Sequence, residues 1–143
     1  YALAVPAPWR ILGEPTTTGD RLEAVALGNG RSVVGLLGTR AADDAFACLD
    51  RVYDHTSRLD AVRRIEPRTD PNAAGGDRAD AFETWDIVGA DGAREPIATT
   101  LFVRCVVLEP ERALLVISHE APSAIYDDEV PAREELLRGL TLP

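Results

Sequence analysis

The sequence predicts an α+β fold: an α/β/α sandwich with a central, mostly antiparallel β-sheet covered by helices on both faces. Three observations support this prediction. Turn residues separate several short strand-like segments, one segment in the first half has helical periodicity, and two strands late in the chain are apolar on both faces. A strand that is apolar on both faces must be covered on both faces of the sheet. The 143 residues fit a single domain spanning 1–143.

The N-terminal part of the chain predicts extended structure followed by a β-hairpin. Two prolines exclude a helix from residues 1–12, and Trp9 in this segment is expected to fill the edge of the core. Residues 22–27 alternate as a strand does, and residues 31–39 form the returning strand. Gly28-Asn29-Gly30 is expected to join them, because Asn followed by Gly is favoured in tight hairpin turns.

A helix is predicted for residues 41–59, where apolar side chains recur on one arc. Thr39 or a neighbour is expected to cap its N-terminus, and Asp43 and Asp44 in the first turn would complement the helix dipole. Cys48 falls at the flank of the apolar arc, from which a side chain can reach an adjoining strand.

The second half of the chain predicts further strands and a closing helix. The predicted strands comprise residues 62–65, 79–88, 96–108 and 113–119. In the closing helix, Pro131 is expected in the first turn, where its missing N–H removes no helical hydrogen bond. The buried stripe of that helix is then formed by Leu136, Leu137 and Leu140.

Composition limits the possible partners. The net charge is −9 and all 15 basic residues are Arg, so we expect no binding to nucleic acid or to anionic membranes. The longest apolar runs are well short of the about 20 residues of a membrane span.

Methionine is absent from the sequence, so we expect a domain excised from a longer exported precursor. It is expected to be monomeric, with membrane attachment only through an anchor upstream of Tyr1.

Candidate catalytic and metal-binding residues are few. Ser118 and His119 are neighbours in a predicted strand and point to opposite faces, so they cannot form the hydrogen bond between a nucleophile and its base. We therefore predict no catalytic residue, no cofactor and no resident metal. One alternative is that His55 and His119 meet in space, with Asp54 or Glu120 alongside, and bind a metal ion.

Three other segments are candidate binding sites. The acidic run 127–129 could bind a calcium ion, but acids at the start of a helix more commonly offset its dipole. The two glycines of residues 28–30 join two strands, whereas a phosphate-binding loop leads from a strand into a helix. A partner is expected to bind through a sheet edge or through the groove beside a loop rich in Pro and Gly, and that loop is the expected partner-binding segment. Its candidate residues are Asn72, Gly75, Gly76, Asp77 and Arg78.

The order of these segments resembles the Mog1/PsbP-like superfamily. The resemblance spans the chain and rests most clearly on its two ends, Tyr1-Ala-Leu-Ala-Val-Pro-Ala-Pro-Trp9 and Glu134-Glu135-Leu136-Leu137-Arg138-Gly139-Leu140. It implies an α/β/α sandwich around an antiparallel sheet. Bacterial members are often exported lipoproteins or secreted proteins, and known roles in the group are mostly binding roles. The resemblance therefore implies a non-enzymatic binding or accessory domain.

On sequence grounds alone, Cys48 and Cys105 are compatible with two buried free thiols or with one disulfide. The absent methionine and the resemblance to an often exported group favour the disulfide. The resulting hypothesis is an extracytoplasmic domain, secreted or membrane-anchored, that binds a protein or a small ligand. A metal-binding protein that uses His55 and His119 is one alternative, and the sensory ectodomain of a membrane protein is another.

Overall fold

The computed structural model describes residues 1–18, 21–40, 44–57, 61–64, 78–88, 98–108 and 113–141. The strands in these ranges are β1 (Ala2–Leu3), β2 (Arg10–Thr18), β3 (Arg21–Gly28), β4 (Val33–Arg40), β5 (Ala61–Arg64), β6 (Arg78–Val88), β7 (Thr99–Leu108), β8 (Ala113–Pro122) and β9 (Leu140–Thr141). The helices are α1 (Ala45–Ser57) and α2 (Tyr126–Arg138), and the 3₁₀ turn Ser123–Ile125 precedes α2.

Seven strands form one antiparallel sheet in the order β2-β3-β4-β8-β7-β6-β5. The pairing of β4 with β8 joins the N-terminal hairpin to the later strands, so the two halves of the chain share one sheet. The short strands β1 and β9 pair separately, next to the end of α2. The predicted antiparallel sheet is confirmed.

The two helices lie on opposite faces of this sheet. Leu49 of α1 packs in a buried cluster with Val103 of β7, whereas Leu136 of α2 packs in another buried cluster with Val106 of the same strand. Residues three positions apart in a strand point to opposite faces. The sheet therefore separates an α1 side from an α2 side, as the predicted sandwich requires.

The N-terminal segment closes the α2 side. Trp9 is 5 % exposed and belongs to the same cluster as Leu136, which confirms its expected place in the core. The hydroxyl of Tyr1 donates a hydrogen bond to the carbonyl oxygen of Leu36 at 3.2 Å. Burial raises the pKa of Tyr1 to about 12. This segment therefore covers strands that α2 alone does not reach.

The N-cap of α1 differs from the prediction. Oδ1 of Asp44 accepts a hydrogen bond from the backbone N–H of Ala47 at 2.8 Å, so Asp44 caps the helix. Thr39 or a neighbour was expected in that role. Thr39 itself pairs with Leu114 of β8, because β4 continues to Arg40. The cap therefore lies five residues after Thr39, at Asp44.

Two further predictions are corrected. Pairing of β3 with β4 ends at Gly28 and Val33, so the turn contains the four residues 29–32 and is longer than a tight two-residue turn. α2 begins at Tyr126, and Pro131 lies inside the helix instead of in its first turn. Buried side chains that precede Pro131 hold the first turn of α2 in place. The buried residues of α2 are Tyr126, Glu129, Arg133 and Leu136, while Leu137 and Leu140 are only partly buried.

Candidate functional site

The α1 side of the sheet is open over β2, β3 and β4. Seven strands at a spacing of about 4.8 Å make a sheet about 29 Å wide, whereas one helix is about 10 Å across. α1 packs on β5, β6 and β7. Leu114 of β8 also packs in the buried cluster of α1. In the described part of the chain, no helix covers β2, β3 or β4 on this side.

The open surface consists of three rows of side chains that cross the strands. The rows are Arg10, Gly28, Val33 and Glu120; Leu12, Ala26, Gly35 and Ser118; and Ala24, Leu37 and Val116. We call this surface the α1-side groove. Its floor is formed by small residues, and its larger apolar side chains are half exposed: Leu12 at 47 %, Val33 at 40 % and Leu37 at 49 %.

Two cavities that share Leu12 occupy the groove. One of about 740 Å³ lies at the β3–β4 turn and is lined by Arg10, Val33 and Glu120, among others. The other, of about 580 Å³, lies beside α1, where Arg51 and His55 form its wall. The groove is therefore apolar along its floor and carries charged side chains at its ends.

A buried carboxylate fixes the turn at the end of the groove. Oε2 of Glu129 accepts hydrogen bonds from Nδ2 of Asn29 at 2.7 Å and from Oγ of Ser32 at 3.0 Å. Its Oε1 lies 3.1 Å from Nη1 of Arg31. Burial acts to raise the pKa of Glu129, but the two hydrogen bonds and the charges of Arg31 and His119 hold it below its ordinary value.

A second set of buried polar groups adjoins Glu129 on the α2 side. The ring of His119 is fully buried, and its centroid lies 5.3 Å from that of Tyr126. Nη1 of Arg133 donates to the hydroxyl of Tyr126 at 3.1 Å, and the guanidinium carbon of Arg133 lies 4.1 Å from the centroid of Phe102. Burial, followed by the charge of Arg133, lowers the pKa of His119 to about 4.

The predicted disulfide is present. Cys48 of α1 is bonded to Cys105 of β7, their Cα atoms are 6.3 Å apart, and both residues are buried. The bond ties α1, one wall of the groove, to a central strand of the sheet.

The predicted chemical candidates do not converge. Ser118 lies on the groove side, and His119 lies on the α2 side, so the sheet separates them as expected. His55 is exposed on the groove side, which means that the hypothesis of a metal ion shared by His55 and His119 fails on geometry. Among the described residues, no group of three or more His, Cys, Asp or Glu side chains is placed to hold a metal ion.

The predicted partner-binding loop is largely outside the described residues. Asn72, Gly75, Gly76 and Asp77 lie there, and Arg78 is the first residue of β6. The groove itself was not predicted from the sequence. The available signal was the alternation of small residues along β3, at Ala24, Ala26 and Gly28, where a covered strand usually carries larger side chains.

No protein-family model and no curated protein matches the sequence. The structure, in contrast, matches solved structures. One is the solution structure of cyanobacterial PsbP (CyanoP) from Synechocystis sp. PCC 6803, with a TM-score of 0.60 and 8 % identity over 99 % of this chain and 85 % of that chain. The structural class of the chain is thus an α+β sandwich around an antiparallel sheet. Its particular fold is PsbP-like.

No helix of the described residues is long and apolar enough to span a membrane.

Proposed function

We propose that the protein is a non-enzymatic, extracytoplasmic binding or accessory domain, and that the α1-side groove is its binding surface. The observation that carries this proposal is the contrast between the two faces of β3 and β4. On the α2 side, Leu27 and Val34 are fully buried. On the groove side, Val33 and Leu37 remain 40 and 49 % exposed. A contiguous exposed apolar surface on an otherwise packed sheet is typical of an interaction site.

Close packing on the floor of the groove and the disulfide beside it support the same proposal. A Cβ added to Gly35 would lie 2.6 Å from Oγ of Ser118, so these two residues are in close contact on the floor. The Cys48–Cys105 disulfide fixes the α1 wall against β7. A surface that is already ordered before binding loses less conformational entropy when a partner arrives.

The disulfide also supports the extracytoplasmic location. Disulfides persist in oxidising compartments and are rare in the reducing cytosol. Thiol trapping of the full-length protein in its source cells tests this part of the proposal. We expect Cys48 and Cys105 to be protected from alkylation until a reductant is added, in the secreted or membrane-associated fraction. Free thiols in the native protein would contradict the proposed location.

A pair of neighbouring residues on β2 provides the test of the groove. Leu12 and Ile11 are 47 and 50 % exposed, but adjacent residues in a strand point to opposite faces, and only Leu12 lies in the groove. The wild-type protein and the variants Leu12→Asp and Ile11→Asp are used to capture proteins from the extracytoplasmic fraction of the source cells. The captured protein is identified and purified, and its affinity for all three forms is measured by calorimetry.

We expect Leu12→Asp to weaken binding at least about tenfold, because it replaces a half-exposed apolar side chain of the groove with a charge. Ile11→Asp adds the same charge on the other face and should leave the affinity within about twofold. Equal affinities for wild type and Leu12→Asp would overturn the assignment of the groove. Circular dichroism and thermal unfolding of each variant check that the fold is retained.

A further inference from the structure

We infer that the β3–β4 end of the α1-side groove binds an extended segment of a partner protein in which an acidic, an apolar and a basic residue alternate. The acidic side chain lies at Arg10 and the basic side chain at Glu120. This inference rests on the proposed function, because it specifies the partner of the same groove.

Two opposite charges mark the ends of one row in the groove. Arg10 on β2 and Glu120 on β8 are both exposed and both line the cavity of about 740 Å³. Neither side chain has an ion pair or a hydrogen bond with another residue of the described part of the chain. Arg31 lines the same cavity, but its guanidinium group is bound by Glu129 at 3.1 Å. The cavity therefore offers a cationic end and an anionic end to a ligand.

The distance between these ends matches an extended peptide. Arg10 and Glu120 are separated by three strand spacings, because Gly28 and Val33 lie between them in the row. Three spacings of about 4.8 Å give about 14 Å between their Cα atoms. In an extended chain, residues i and i+4 are about 13 Å apart, and residues i, i+2 and i+4 point to the same side. A segment that crosses the strands can therefore place one side chain at each end and one between them.

The surface between the two charges is apolar. The side chain of Leu12 leans over Gly28, since a Cβ added to that glycine would lie 3.0 Å from Cδ1 of Leu12. Val33 is next in the row, and both Leu12 and Val33 are about half exposed. An apolar side chain at position i+2 of the segment would cover both of them.

The charge pattern selects this segment over others. A segment with two acidic residues would place one of them against Glu120, and a segment with two basic residues would place one against Arg10. The free backbone termini of a single amino acid are too close together to reach both ends. An apolar chain without charges would leave both Arg10 and Glu120 without a partner.

Synthetic peptides test the inference directly. The probe is the capped pentapeptide Asp-Ala-Leu-Ala-Lys, added to the ¹⁵N-labelled 143-residue chain and followed by amide chemical shifts. We expect a Kd of the order of 1 mM, because exposed charge pairs are weak. The amides of Arg10, Leu12, Val33 and Glu120 should shift most. The like-charge peptides Asp-Ala-Leu-Ala-Asp and Lys-Ala-Leu-Ala-Lys should bind at least about threefold more weakly than the probe. Replacing the central Leu of the probe by Ser should also weaken its binding.

A charge reversal separates recognition from a general charge effect. In Arg10→Glu, both ends of the groove are acidic, so the preference should change to Lys-Ala-Leu-Ala-Lys. Arg138→Glu makes the same change in net charge at an exposed site on α2 and should keep the original preference. Identical peptide preferences in the two variants, or equal binding of all peptides by the wild type, would overturn the inference.

A failure of the predicted charge pattern can be distinguished from a failure of the groove as a binding surface. If Leu12→Asp weakens partner binding but the peptides show no charge preference, the groove is retained and the predicted pattern is wrong. If Leu12→Asp leaves partner binding unchanged, the proposed binding surface is itself wrong.

Discussion

Glu129 of α2 accepts a hydrogen bond from the side-chain amide of Asn29 at 2.7 Å, although the two residues are 100 positions apart in the chain. The bond connects the first turn of the helix with the β3–β4 turn. Asn29 also shapes that turn from within, because its Oδ1 accepts hydrogen bonds from the backbone N–H groups of Arg31 and Ser32, both at 2.8 Å. The end of the groove is therefore held by one buried carboxylate.

Replacing Glu129 with Gln should destabilise the protein by about 1–3 kcal/mol at pH 7. The amide lacks the charge that pairs with Arg31, and one of its two polar atoms becomes a donor that faces other donors. Urea denaturation measures the difference. Glu135→Gln, at an exposed position of the same helix, is the control and should change the free energy of unfolding by less than about 0.5 kcal/mol.

The effect of Glu129→Gln should depend on pH with a defined sign. The folded-state pKa of Glu129 is below its ordinary value of 4.5. The stability that its charge contributes is therefore present above that value and is lost as the pH falls through the lower pKa of the folded state. We expect the difference between wild type and variant to shrink in strongly acidic urea denaturations. A difference that grows with acidification would contradict the proposed role of the charge.

His119 should make the protein sensitive to acid. Its pKa is about 4 in the folded protein and 6.5 ordinarily, so the unfolded chain binds the proton first as the pH falls. The free energy of unfolding should consequently decrease from about pH 6.5 to about pH 4, by about 3 kcal/mol in total. The charged groups that act on the ring are Arg133, which opposes protonation, and Glu129 and Glu134, which favour it.

The variant His119→Leu tests this dependence. Neither ring nitrogen has a hydrogen-bond partner within the described structure, so an apolar side chain should be tolerated at pH 7, with a stability within about 1 kcal/mol of wild type. The difference in free energy of unfolding between variant and wild type should grow in favour of the variant between pH 6.5 and pH 4. Parallel pH profiles for the two proteins would show that His119 is not the titrating group.

The disulfide should contribute substantially to stability. It joins residues 57 positions apart, and closing a loop of that length in the unfolded chain corresponds to about 4 kcal/mol. We expect the double variant Cys48→Ala with Cys105→Ala to lose about this amount in guanidinium denaturation. Wild type in the presence of reductant should approach the double variant, which itself should not respond to reductant. An unchanged midpoint after complete reduction would contradict the prediction.

The central sheet and α1 could be predicted because local patterns encode them, whereas the disulfide was favoured over free thiols only by the absent methionine and the family resemblance. β7 and β8 are apolar on both faces, and the helical period of residues 45–57 brings Cys48 to the buried side. The start of α2 could not be predicted in this way. Pro131 locally favours a later start, and the contacts that hold the earlier turn come from Asn29 and Ser32, about 100 residues away.

The groove was not predicted for a different reason, although the small residues along β3 were a local signal of it. Leu12 and Leu37 are apolar, and alternation alone assigns such residues to a covered face. Whether they are covered depends on which strands α1 reaches, and α1 packs on β5, β6 and β7, where Cys48 is bonded to Cys105 of β7. In the strand order, β8 lies between β4 and β7. The hairpin strands are therefore separated from the strands on which α1 packs.

Position 139 should require Gly because there is no room for a side chain, and not because of its backbone conformation. Its φ of −79° is accessible to any residue, but an added Cβ would lie 2.7 Å from the carbonyl oxygen of Ala4. That oxygen is part of the backbone, and the N–H of Ala4 donates to the carbonyl of Gly139 at 3.1 Å. We expect Gly139→Ala to destabilise the protein by about 1–3 kcal/mol and to speed hydrogen exchange at the Ala4 amide.

Gly28→Ala is the matched control for this prediction. Its added Cβ would meet the side chain of Leu12 at 3.0 Å, and a flexible, half-exposed side chain can move aside. We expect a loss below about 1 kcal/mol in guanidinium denaturation and unchanged exchange at Ala4. Equal losses in Gly139→Ala and Gly28→Ala would show that the close approach of Ala4 to the end of α2 does not determine the cost. Unchanged exchange at Ala4 in Gly139→Ala would show that the N-terminal strand is held by other contacts.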